Sequence, residues 1–153
     1  MTMSDTRISV FVSGAPIPQG SMKHVGHGRI IHANAKELKA WRDHVGCVVK
    51  QYIADEGIDI LSDDKRYIVS LEFFLRRPKS VSKKKRPHPT KKPDLDKLVR
   101  AILDSLTGIV WGDDAQVTCI NADKGYDDEP HGCDDGPGVI IFIVGCDNRA
   151  TFI

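Results

Sequence analysis

No stretch of this chain approaches the roughly 18 consecutive apolar residues that a bilayer-spanning helix needs, so nothing in it reads as a membrane segment. No secretory leader is expected either: Met1 to Arg7 is polar, and Ile8 to Val12 is too short to be its apolar part. The expected compartment is the cytoplasm. Cys-x-x-Cys spacing is absent. Cys47, Cys119, Cys133 and Cys146 are expected to stay reduced there and most of them to serve as small hydrophobic filler, the alternative being a zinc site using His131, Cys133 and others. There is no internal repeat and no glycine-rich phosphate loop. A net charge of only +1 argues against a protein that coats nucleic acid indiscriminately.

What the chain does have is a polarised charge distribution. Arg76 to Arg100 holds 11 of the 22 Lys and Arg residues with only two acids, while Tyr126 to Pro137 holds five acids and no Lys or Arg. A basic edge able to meet phosphates and a separate acidic loop follow from this. At 153 residues the chain is expected to be one domain spanning 1–153, with a real core.

Arg7 to Ser13 alternates around β-branched residues and predicts a strand. Gly14 to Gly28 is a Gly- and Pro-rich connection, and Arg29 to His32 a short extended piece. Asn34, with Glu37 three residues on, has the capping-box pattern for a first helix from Ala35 to about Ala54. Tyr67 to Leu75 predicts an internal strand. Arg76 to Pro93 is a basic loop broken by prolines, and Leu95 to Leu106 an amphipathic second helix closing near Gly108. Ala115 to Lys124 predicts a third strand, and the apolar run Val139 to Val144 a fully buried fourth. The order gives an α+β fold: two layers, a mixed β-sheet of about four strands, and both helices on one face.

The chemistry concentrates in Lys91 to Val117. Pro93 starts the second helix just after itself, putting Asp94 at the N-cap and Asp96 in the first turn. A structural use is available to each: acids at a helix N-terminus cap N–H groups and suit the macrodipole. Asp113 and Asp114 sit in a Gly-Asp-Asp turn with its own structural use. If the strand after that turn runs antiparallel to the helix, it heads back toward Asp94, and Asp114 is expected to approach the first pair. Three carboxylates without His or Cys make a hard-oxygen site suited to Mg²⁺ or Mn²⁺. Arg100, four residues from both Asp96 and Asp104, fits either an i,i+4 ladder or a phosphate-stabilising cation. Lys97 is expected to face solvent or the phosphate backbone. Lys83, Lys84, Lys85, Arg86, Lys91 and Lys92, with Lys23 and Arg29 from the earlier connection, are the expected DNA contacts.

Lys92-Pro93-Asp94-Leu95-Asp96-Lys97-Leu98 through Asp104-Ser105-Leu106, followed by Gly108, Trp111 and Asp113-Asp114-Ala115-Gln116-Val117, resembles the signature of the RusA family of Holliday junction resolvases. Gly14-Ala15-Pro16-Ile17-Pro18 adds a looser match. The resemblance implies a RusA-like homodimer that cuts four-way DNA junctions by paired nicks using Mg²⁺. It also implies that Asp94, Asp96 and Asp114 are the essential carboxylates. The family usually has Asp-Asn-Leu-x-Lys where this chain has Asp96-Lys97-Leu98-Val99-Arg100. The change keeps positive charge but removes a side chain able to move a proton at neutral pH. Two other readings stay open: a DNA-structure-binding protein without catalysis, and a transferase holding a metal–nucleotide complex on Asp-x-Asp.

Overall fold

The computed structural model describes residues 5–20, 22–24, 26–28, 30–32, 34–60, 64–128 and 136–148; for 22–24 and 30–32 only the backbone is described. The elements in order are β1 (Thr6–Ser13), β2 (Met22–His24), β3 (Ile30–His32), α1 (Ala35–Glu56), β4 (Lys65–Leu75), α2 (Leu95–Leu106), β5 (Val117–Tyr126) and β6 (Gly138–Asp147). A single 3₁₀ turn, Asp114–Gln116, precedes β5. The predicted α+β fold is what is found. Four strands form one mixed sheet in the order β1-β6-β4-β5, with β4 and β5 parallel and the other pairs antiparallel. The predicted Gly14–Gly28 connection also contains β2, which pairs with β3 as a small separate hairpin.

The register explains the layers. Ile8 and Val12 of β1, Ile143 and Val139 of β6, and Val69 and Phe73 of β4 lie in rows across the sheet, and all are fully buried. Period-2 alternation puts them on the face that packs against Leu38, Trp41, Val45 and Val49 of α1 and Leu98, Ile102 and Leu106 of α2. Gly46 lets the helices close up. A Cβ there would meet Ile109 Cδ1 at 3.1 Å, and the Ser105 hydroxyl next to it donates to the Arg42 carbonyl at 2.7 Å.

Among the described residues the opposite face carries no helix. This is why β6 is not buried on both sides as its unbroken apolar run predicts: Phe142 is 38% exposed. Cys47 and Cys119 are likewise exposed, not core filler, and Cys146 is half-buried; Cys133 and His131 lie outside the described residues. Among the described residues no helix is long and apolar enough to cross a membrane.

After α2 the chain turns on Trp111, which is fully buried with its ring 5.5 Å from that of Tyr67 on β4. Its indole N–H donates to the Thr107 hydroxyl at 3.1 Å, and its carbonyl accepts from the Gly108 N–H at 2.7 Å. This anchor fixes where the Gly-Asp-Asp turn sits. Trp111→Ala is expected to cost about 3–5 kcal/mol, seen as a lower urea midpoint at unchanged slope.

Candidate functional site

The two acids behind Pro93 sit where the sequence puts them. Asp94 is the N-cap of α2 with extended backbone (φ −70°, ψ 136°), and Asp96 is in the first turn. The structural use offered to Asp94 is not taken up, since its side chain makes no capping hydrogen bond. Its carboxylate lies 3.6 Å from the Lys97 ammonium. Lys97 is thus half-buried against Asp94, not turned wholly to solvent. Both acids are exposed at one end of the helix. Arg100 is exposed too, and among the described residues it is paired with neither Asp96 nor Asp104, so the i,i+4 ladder does not form.

In the downstream turn the work is divided. Asp113 accepts from the Ala115 N–H at 2.9 Å and forms a reciprocal capping box with Gln116. The Gln116 amide oxygen accepts from the Gly112 and Asp113 N–H groups at 3.1 and 3.3 Å, while its amide nitrogen donates to the Lys65 carbonyl at 3.1 Å. Asp113 and Gln116 close the turn and tie it to β4. Asp114, between them, is exposed and takes no part in the closure.

The expected meeting of Asp114 with the first pair does not occur within one chain. β5 does run back toward Asp94, but it is its far end that arrives. The Lys124 ammonium donates to the carbonyls of Lys91 and Pro93 at 2.8 and 2.7 Å. Asp114 stays at the Lys65 end of the sheet, held there through Gln116. The 12 residues of α2 separate the two ends by about 18 Å of helix. Accordingly, no three His, Cys, Asp or Glu side chains among the described residues are grouped to hold a metal.

The basic segment is an ordered loop. Arg77, its side chain only 8% exposed, lies with its guanidinium 4.0 Å above the Tyr126 ring. It donates to the Asp128 carboxylate at 2.8 Å and to the carbonyls of Arg86 and Pro87. One side chain therefore clasps both ends of the lysine run to the end of β5. Lys83, Lys84, Lys85, Arg86, Lys91 and Lys92 all project into solvent. The Lys23 side chain and Arg29 lie outside the described residues. Arg77 and Lys124 were not singled out by sequence reasoning. Asp128 is 51 residues from Arg77, and the carbonyls that Lys124 meets are 31 and 33 residues away, and no local pattern announces such contacts.

The sequence matches the family model described as Endodeoxyribonuclease RusA over residues 13–132. A Bacillus subtilis (strain 168) protein whose name reads "Uncharacterized protein YqaN" is 26% identical over 133 residues, covering 80% of this chain and 90% of that protein.

The clasp has a pH signature. The hydrogen bond from Arg77 holds the Asp128 carboxyl below its usual range. A depressed folded pKa gives a contribution that is complete above the unfolded value and is lost as pH falls through the folded one. Amide-exchange protection at Val81, Arg86 and Thr90 should therefore be flat from neutral pH down to about 5 and decline below it. In Arg77→Ala that protection should already be reduced at neutral pH, with no further acid-dependent step.

Proposed function

The chain belongs to the RusA endodeoxyribonuclease family, and from that premise we propose that it is a Mg²⁺-dependent, cytoplasmic homodimer that resolves four-way DNA junctions in recombination and repair. On this reading the whole chain acts as one endonuclease domain. The observation that carries the reading is the division of labour among its acids. Asp113 is spent on closing a turn, whereas Asp94, Asp96 and Asp114 are exposed and hold no capping hydrogen bond.

The donor set fits the ion. Mg²⁺ takes oxygen ligands and is commonly held by one or two carboxylates, with water and substrate phosphate completing the shell. Asp94 and Asp96 supply such a pair, and Mn²⁺ fits the same oxygens. When bound, the metal would polarise the scissile phosphate and lower the pKa of an attacking water. The chain's own residues do the rest. The clasped loop neutralises phosphates on the DNA arms. Arg100, unpaired one turn into α2, offers charge to the developing pentacovalent phosphate but no proton.

Asp114 joins the pair if a second copy brings it. Among the described residues β5 is an edge strand, paired on one side with β4 and with no strand on the other, and Ile120 on it is 43% exposed. Two β5 edges placed antiparallel about a two-fold axis set the start of one strand beside the end of the other. That carries each Asp114 toward the Asp94 and Asp96 of its mate and buries Ile120 against its symmetry copy. Two equivalent sites then face a substrate with two equivalent strands.

Asp96→Asn should abolish nicking of a labelled four-way junction in Mg²⁺ while leaving junction binding in EDTA intact; cutting at the normal rate would refute the assignment. Asp96→Asn and Asp114→Asn proteins, each inert alone, should recover nicking when mixed, because the mixed dimer holds one complete site. Failure to recover would confine the acids to single chains. Junction affinity should drop about 10³-fold or more between 50 and 200 mM salt if the six exposed loop cations meet phosphates. A binding module without catalysis would release no nicked product with either Mg²⁺ or EDTA.

A further inference from the structure

Lys124 differs from the cations of the basic loop in where it stands and in what it touches. It lies near the end of β5, opposite Phe73 of β4, and Tyr126, two residues on, lies opposite Leu75. Phe73 and Leu75 are buried in the layer that meets the helices, so Lys124 and Tyr126 share that face. Tyr126 carries the Arg77 guanidinium, through which the earlier part of the basic loop is held. Lys124 takes the later part, through the carbonyls of Lys91 and Pro93. Two alternate positions on one strand therefore hold both ends of the segment that runs into Asp94.

The Lys124 ammonium is half-buried and, among the described residues, has no carboxylate partner. An apolar side chain would fill such a position at a smaller desolvation cost, so packing alone does not account for a lysine here. Its two hydrogen bonds do. The Pro93 carbonyl and the Asp94 N–H belong to one planar peptide unit, and Lys124 holds the oxygen of that unit at 2.7 Å. The Lys91 carbonyl, at 2.8 Å, is held by the same ammonium, whose three donors can serve both oxygens at once. Fixing this peptide plane fixes the direction in which Asp94 leaves the chain. Asp94 has little else to orient it: its side chain makes no capping hydrogen bond, and Lys97 approaches it only to 3.6 Å.

We propose that Lys124 is a positioning residue for Asp94 and Asp96, holding the chain just before them so that both carboxylates meet one divalent cation, a role that rests on the nuclease reading for what the pair holds. Lys124 touches neither the cation nor the DNA. It acts through the backbone, as outer partners that orient the ligands of a metal commonly do. Because the same strand end also carries Tyr126 and the clasped loop, the cations that meet the DNA arms and the acids that hold the metal are kept in one register.

The test uses the full-length protein with three substitutions. Lys124→Met keeps most of the stem and removes every donor, Lys124→Gln is neutral and one bond shorter, and Lys124→Arg keeps both charge and donors. All three should fold, since α2 stays docked through Leu98, Ile102 and Leu106 and through the Gln19 N–H bond to the Lys97 carbonyl at 2.9 Å; urea midpoints check this. Three quantities are read: nicking of a labelled four-way junction as Mg²⁺ is titrated, Mn²⁺ binding without DNA by electron paramagnetic resonance, and junction binding in EDTA. Lys124→Met and Lys124→Gln should raise the half-saturating Mg²⁺ about tenfold and weaken Mn²⁺ binding by a similar factor. Saturating Mg²⁺ should restore kcat, junction affinity in EDTA should not change, and Lys124→Arg should recover most of the metal affinity. Normal nicking with unchanged Mg²⁺ dependence in Lys124→Met and Lys124→Gln would overturn the assignment and leave the nuclease reading standing. So would a loss of kcat that no Mg²⁺ concentration restores and that Lys124→Arg shares. Mn²⁺ binding that depends on Lys124 in a protein that makes no nick would support the positioning role and reject the nuclease reading instead.

Discussion

The parallel pairing of β4 with β5 is the constraint from which the rest of this molecule follows. Two parallel neighbours need a crossover, and a crossover made of one helix must run against both strands. The N-terminus of α2 is thereby fixed at the finishing end of the strands and its C-terminus at their starting end. Asp94 and Asp96 belong to the first of these ends and Asp114 to the second. No choice of side-chain rotamer brings them together, because the separation is set by the length of the helix. Among the described strands β5 also lies at one edge of the sheet, so the strand that this crossover leads into is open to another chain on its outer side.

Fold and site were legible in the sequence to different degrees, for physical reasons. The strands and helices were legible because their apolar residues repeat at 2 or 3.6, and burial on one face enforces that period. Two errors came from the layer count. The unbroken Val139–Val144 run suggested burial on both faces, and the cysteines suggested core filler. With helices on one face only, Phe142 and Cys119 are left facing solvent. Asn34 and Glu37 match a capping box, yet the Asn34 amide is committed to the Pro18 carbonyl, 16 residues upstream. A local motif lost to a tertiary partner that no window of sequence contains.

The acids show the same limit more sharply. Their types and spacing were legible, but their arrangement was not. Asp-Asp-Ala-Gln has one residue of structural use at each end, Asp113 and Gln116, and turn chemistry alone does not mark which acid is spent, although the resemblance to the RusA signature points to Asp114 as the essential one. The hydrogen bonds do: the capping box takes Asp113 and leaves Asp114 out. The basic loop is a comparable case. A run of lysines reads as a solvated, wandering segment, and only the packing of Arg77 against Tyr126, Arg86, Pro87 and Asp128 shows that its base is held.

Division of the acids between the two ends of one crossover has a consequence for the cell that makes this protein. On the reading proposed above, a newly made chain carries half of each cutting centre, and the halves become a tool only on association. Scarce protein is then harmless to ordinary duplex, and nicking capacity rises with the square of its abundance until the pool is fully associated. A stray nuclease is restrained by arithmetic, with no inhibitor required.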